Sequence, residues 1–246
     1  MRVRGSGRHR NPRGPRASVS VRTAKGRKTS STRWLQRQLN DPYVAEAARR
    51  GYRSRAALKL IQIDYKFHLL KPGKRVVDLG AAPGGWTQVA VERTGAKSGE
   101  GKARGKVVAL DIAEMEPVAG ATILQHDFLA EGAPAAVKAA LAGPADIVLC
   151  DMAGNATGHP ATDHLRIVAL VEAAHEFSCE VLVPGGAFVA KLLQGGSEGE
   201  LLARLKVDFT EVKRMKPPAS RAESAEFYIV ALGFRGAGAA AKTGNA

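Results

Sequence analysis

DLGAAPGGW, residues 78–86, follows the apolar pair Val76-Val77 and leads into a stretch with helical spacing. A glycine-rich turn between a strand and a helix usually cradles a phosphate, because backbone N–H groups and the helix N-terminus converge there. This turn lacks the pattern for that role. A dinucleotide fingerprint needs G-x-G-x-x-G, and here Ala82 stands where the second glycine belongs, beside Pro83, which carries no N–H. No Lys-Ser or Lys-Thr pair follows, so the P-loop pattern fails too. Both a nicotinamide-dependent oxidoreductase and a nucleotide hydrolase are thereby disfavoured. What remains is a loop open to a phosphate-free ligand, led by Asp78, an acid that suits a cation.

Outward from this loop the pattern is one of repeated strand and helix. RVVDLG, KVVALDI, ATILQHD, ADIVLCDM and GAFVAKLL are near-continuous apolar runs, the signature of parallel strands covered on both faces. Residues 84–94, 131–142, 160–180 and 197–205 have helical spacing, and βα units with right-handed crossovers give a doubly wound open sheet. VDFTEVKRM and AEFYIVALGF add two closing strands. Before the sheet, residues 41–70 predict two helices, with Val44, Ala47 and Ala48 on one stripe, Ala57, Leu58 and Ile61 on another, and a break at Gly51.

Charge divides the chain unevenly. The formal net charge is +14, and the first forty residues hold ten Arg, two Lys and no acid, leaving the rest almost neutral. Residues 1–33 are read as a basic, unstructured arm, residues 34–235 as the catalytic domain and residues 236–246 as a loose tail. A basic arm on a near-neutral domain is a handle for a polyanion, with nucleic acid the leading partner. Arg53, Arg55 and the Gly-rich loop at 94–106 are further candidates for phosphate contact. Cys150 and Cys179 lie in apolar stretches without metal-ligand spacing, as fits a reduced cytosol, and no apolar run is long enough for a membrane span. His159 and His164 are expected at the surface, and no histidine set suggests a metal.

Acids close the next strands, where a ligand at the switch point of such a sheet needs them. Asp111 ends KVVALD, placed for two ribose hydroxyls, and Asp127 in QHDF lies where an adenine amino group would fall. S-adenosyl-L-methionine carries an ammonium, a sulfonium and a ribose and no phosphate, which matches loop and acids together. Asp151 ends the fourth strand, and Lys191 lies within AFVAKLL. An ammonium is costly to bury in such a run unless something uses it, so Lys191 is a candidate base. Lys59 and Glu226 are weaker candidates at element ends.

RSRAALKL, KPG, VVDLGAAPGGW, DMAGN, PGGAFVAKL and KPPASRAESAEFYIV, in this order over residues 41–232, resemble the motifs of the FtsJ/RrmJ (RlmE) ribosomal RNA 2′-O-methyltransferases. The resemblance implies an α/β, Rossmann-like, S-adenosyl-L-methionine-dependent methyltransferase fold: a mostly parallel seven-stranded sheet, helices on both faces, and a final antiparallel strand inserted beside its neighbour. It implies a catalytic Lys-Asp-Lys-Glu tetrad at Lys59, Asp151, Lys191 and Glu226, and cofactor contacts at Gly84, Trp86, Asp111, Asp127 and Asp151. It further implies an enzyme that methylates a uridine in the A-loop of large-subunit (23S) rRNA within the assembled subunit, aiding ribosome assembly; the cytoplasm is expected from the cysteine usage and the lack of a long apolar run, and a monomer is the default expectation, the sequence being silent on oligomeric state. The rival reading is a noncatalytic RNA-binding assembly factor that keeps the fold. One departure is Gly154, where family members usually carry proline after Asp-Met-Ala.

Overall fold

A computed structural model describes residues 29–97, 104–154 and 157–236. The basic arm before Thr29, the middle of the 94–106 loop and the tail beyond Gly236 lie outside the described residues. The chain divides into two compact units at Glu46/Ala47. The first holds α1 (Thr29–Asn40) and the start of α2 (Pro42–Arg49), which Asp41 caps by accepting the Tyr43 N–H at 3.0 Å. Helix α1 starts inside the stretch read as unstructured. Its opening Thr-Ser-Ser-Thr supplies residue types that favour helix starts, a local signal that the Arg-rich composition obscured.

The second unit begins with α3 (Ala56–Phe67) and then alternates: β1 (Arg75–Leu79), α4 (Gly85–Thr94), β2 (Lys106–Asp111), β3 (Ala121–Gln125), α5 (Ala133–Leu141), β4 (Ala145–Cys150), α6 (Pro160–Val181), β5 (Leu182–Leu193), α7 (Gly199–Asp208), β6 (Phe209–Met215) and β7 (Glu226–Phe234). The seven strands lie in the order β3-β2-β1-β4-β5-β7-β6. Strands β1 to β5 pair in parallel, and β7 pairs antiparallel with both β5 and β6. The direction of connection reverses between β1 and β4, so the ends of these strands open the crevice where α/β sheets bind ligands.

Period two along each strand sorts the core onto two faces. Val77, Leu79, Val148, Cys150, Phe188 and Ala190 pack against α5, α6 and α7. Val76, Ile147, Leu149, Val189, Tyr228 and Val230 pack against α3 and α4. The same alternation puts Asp151 in step with Leu149, Lys191 with Val189 and Glu226 with Tyr228, all toward α3.

Two boundaries differ from the sequence reading. β5 begins at Leu182, not at Gly186, and α6 runs straight into it. The Pro184-Gly185-Gly186 stretch reads as a turn but sits at an irregularity between the Ala145–Leu182 and Ile147–Ala187 pairs, where a strand tolerates proline and glycine. Helix α7 reaches Asp208, so β6 starts at Phe209 rather than Val207.

Candidate active site

A cavity of about 440 Å³ opens at the carboxyl ends of the parallel strands. Gly80 after β1, Asp111 and Ile112 at β2, Asp127 and Phe128 after β3, Asp151 to Gly154 after β4, and Lys191 of β5 line it. Gly80 is required there for two reasons. Its φ of +76° disfavours a side chain, and a Cβ would come within 2.6 Å of the Met152 backbone. Asp111 is fixed in place: one oxygen accepts the Ala82 N–H at 2.9 Å and the other the Ala113 N–H at 2.8 Å. Each oxygen keeps a further lone pair for a ligand. Asp127 accepts the Leu129 N–H at 3.0 Å through Oδ1.

At one end of the cavity four charged side chains form two ion pairs. Lys191 Nζ lies 3.0 Å from Asp151 Oδ1 and donates to the Asp151 carbonyl oxygen at 2.6 Å. Lys59 Nζ lies 2.6 Å from Glu226 Oε1. The exposures of Lys59, Asp151, Lys191 and Glu226, 11, 17, 12 and 15 %, are low enough that water screens these pairs weakly. Tyr228 joins the pairs: its hydroxyl accepts from Lys59 at 3.3 Å and donates to Asp151 Oδ1 at 3.2 Å. The join follows from register, because Lys191 and Tyr228 are directly opposed between β5 and β7 and project to one face.

Electrostatics keep the cluster ordered. Burial and the Asp151 and Glu226 charges push the Tyr228 hydroxyl well above its ordinary value, so it stays a neutral donor. Burial pushes the Glu226 carboxyl up, but the Lys59 ammonium and the Ser220 hydroxyl, which donates at 2.8 Å, together hold it below the usual range. Ser220 is itself placed by α3, whose Gln62 accepts the Ala219 N–H at 2.7 Å, and by Arg55 just before that helix, which donates to the Ala219 carbonyl.

The model of the FtsJ-like methyltransferases matches residues 52–234. The chain belongs to the FtsJ-like methyltransferase family. Relatives include the ribosomal RNA large subunit methyltransferase E of Paramagnetospirillum magneticum, 66% identical over 89% of this chain and 89% of the relative. That of Rhodospirillum rubrum is 60% identical over 99% of this chain and 90% of the relative. Among solved structures, a Plasmodium falciparum chain provisionally named a ribosomal RNA methyltransferase superposes with a TM-score of 0.66 at 30% identity, covering 75% of this chain and all of that one. The sheet with its inserted antiparallel β7 is thus the FtsJ-like fold.

Within this FtsJ-like site, the structure brings Asp111, Asp127, Asp151 and Lys191 to the cavity and joins Lys59 and Glu226 to them through Tyr228. Gly84 and Trp86 are not in that lining. Gly84 caps α4 with a φ of +108°, and Trp86 is buried against Tyr228 at 5.6 Å between ring centroids, its indole N–H donating to the Ala56 carbonyl. Asp78 is corrected from a cation-facing acid to a core residue: it is fully buried and accepts the Thr87 hydroxyl at 2.7 Å, because period two turns it toward α4. Arg53 is likewise no free phosphate contact. Its guanidinium donates to the carbonyls of Pro83 at 3.2 Å, Glu116 at 2.6 Å and Pro117 at 2.8 Å, tying the 83–84 turn to the segment after β2. His164 is also corrected, since it is buried in α6, with Nδ1 against the Leu193 carbonyl at 3.0 Å and Nε2 accepting the Ser197 N–H. Tyr228 and Ser220 were missed: one reads as a strand aromatic, the other as a loop residue, and only pairing and loop closure reveal them. No helix among the described residues is long and apolar enough to cross a membrane.

Proposed function

We propose that this FtsJ-like enzyme transfers a methyl group from S-adenosyl-L-methionine to the ribose 2′-hydroxyl of a uridine in the A-loop of large-subunit rRNA, acting in the cytoplasm as a monomer on the assembled subunit. The observation that carries the reading is the Lys191–Asp151 pair at the wall of a cavity whose other charged groups are carboxylates. The names of the relatives support the choice of rRNA. Three carboxylates and one ammonium suit a cationic ligand and oppose a phosphate, and about 440 Å³ falls within the range of small-ligand pockets. Asp111 would accept the ribose hydroxyls and Asp127 the adenine amino group; the cofactor roles of Gly84 and Trp86, outside the cavity lining, rest on the resemblance alone. When bound, the cofactor supplies an electrophilic methyl on a positively charged sulfur, a leaving group that needs no acid.

The chain's own residues align and deprotonate the nucleophile. Lys191 is the general base that takes the 2′-hydroxyl proton as the new bond forms. Asp151 fixes the direction of that amine through its carboxylate and its carbonyl, and stabilises the ammonium once the proton has moved. Lys59, Glu226 and Tyr228 hold Asp151 and the floor beneath it. Lys191→Ala is expected to lower radiolabelled methyl transfer into large subunits by roughly a thousandfold or more, within the reach of a positioned general base, while cofactor affinity by calorimetry changes little. Near-wild-type turnover would remove Lys191 from the chemistry. Absence of transfer by the wild-type protein, with RNA binding kept, would favour the noncatalytic assembly factor.

A further inference from the structure

The catalytic reading leaves one cluster of donors unused. His175 and Cys179 lie one turn apart on α6, and Asp208, the last residue of α7, faces them. His175 Nε2 is 3.0 Å from Asp208 Oδ2 and 3.4 Å from Cys179 Sγ, and Sγ is 4.0 Å from the same oxygen. We propose that these three side chains form a binding site for a divalent ion of the zinc class.

Three observations support the assignment. First, Nε2 has either one proton or one lone pair, yet it faces both a carboxylate and a sulfur. Hydrogen bonding serves one of them well, whereas an ion at the centre takes one lone pair from each. Second, ordinary zinc bond lengths to N, O and S, about 2.0–2.3 Å, give tetrahedral edges of roughly 3.3–3.6 Å. The observed separations straddle that range, so the donors need shift by only a fraction of an ångström. Third, the Asp208 carboxylate bears on Cys179, while Glu176 and Glu180, which bear on it too, are paired with Arg204 and Lys138.

The surroundings suit a structural ion. Phe188 and Phe209 back the His175 ring at 6.1 and 6.2 Å between centroids, which excludes water on that side. Asp208 keeps 24 % exposure, leaving a fourth position for water. β5 starts just after the cluster at Leu182 and reaches the catalytic end at Lys191, roughly 30 Å away at strand rise. The site is therefore distinct from the active site. It would pin α6 to the α7–β6 corner.

The test uses the full chain, stripped with chelator and titrated with Co²⁺ and then Zn²⁺. One equivalent of cobalt should bind with a thiolate-to-cobalt charge-transfer band and tetrahedral visible bands, and zinc should displace it. Cys179→Ser should abolish the charge-transfer band and weaken zinc binding about tenfold or more, and Asp208→Asn should weaken it about tenfold, with methyl transfer unchanged in both. If a variant does not fold, the wild-type spectrum still decides, since the other thiol, Cys150, is fully buried within the sheet. No charge-transfer band in the wild type, a band that survives in Cys179→Ser, or binding well below one equivalent would reduce the cluster to a hydrogen-bonded trio.

Discussion

Tyr228 illustrates what single side chains contribute at this site. Its ring fills the core under Trp86, while its hydroxyl is the one direct hydrogen-bonded link, among the described residues, between Lys59 and Asp151. Tyr228→Phe keeps the ring and removes the link. Net loss of a hydrogen bond to charged groups costs about 1.5–3 kcal/mol, so urea melts should show a drop of that order. Methyl transfer in single turnovers should fall about tenfold or more with cofactor affinity held. Equal rates for the two proteins would mean that the two ion pairs act independently. Asp78 makes a different prediction. Burial first, and then the Asp151 and Asp111 charges, push its carboxyl up to about 7 against the help of Thr87, whereas an unfolded aspartate titrates near 3.9. The folded state therefore holds the proton more tightly: this group's contribution to stability is full below about pH 4 and is lost as pH rises toward 7. The whole shift corresponds to roughly 4 kcal/mol at most. Asp78→Asn should gain stability relative to wild type across pH 4 to 7 and hold a constant margin above it; a margin flat over the whole range would sink the assignment. The sequence exposed Lys191 because an ammonium stands out in an apolar run, whereas Lys59 and Glu226, at element ends, entered through the resemblance. It concealed Tyr228 and the burial of Asp78 because neither type is unusual in a strand.

Elements were legible where one periodicity ran undisturbed. β1, β2 and β4 are short β-branched runs buried on both faces, and their ends were found within a residue or two. Legibility failed at joints. The start of β5 was hidden because Pro184 and two glycines signal a turn, and only pairing with β4 across an irregular register makes them part of a strand. The insertion of β7 between β5 and β6 is a long-range choice that local pattern does not encode; it entered through the resemblance alone. Arg53 is a joint of the same kind. From the segment between α2 and α3 it donates to carbonyls of the 83–84 turn and of residues 116 and 117. Its loss should not unfold the sheet, since water can replace it at exposed carbonyls. Arg53→Ala is instead expected to loosen the turn before α4 and weaken S-adenosyl-L-methionine binding about tenfold by calorimetry, with a melting temperature within a few degrees of wild type. Unchanged affinity would show that the turn keeps its shape without the clamp.

For the whole molecule the decisive asymmetry is charge. Twelve of the basic residues precede residue 41 without a single acid, while the remainder of the chain is close to neutral. The domain alone therefore has little net field with which to draw in a polyanion, and Arg53 and Arg55, two cations that could have served at the cavity mouth, are engaged with backbone carbonyls. The arm is therefore expected to supply much of the phosphate binding. Because α1 begins at Thr29, truncation before that residue removes the arm and leaves α1 whole. The shortened protein should bind S-adenosyl-L-methionine as the full chain does, yet bind large-subunit RNA more weakly. For every phosphate that the arm no longer neutralises, the slope of log affinity against log salt should fall by about 0.7–0.9. Affinities measured at several salt concentrations separate this from a fold defect, which would lower binding by the same factor at every salt. If affinity and slope are both unchanged, the RNA is held by the domain surface, and the charge of the arm serves another purpose.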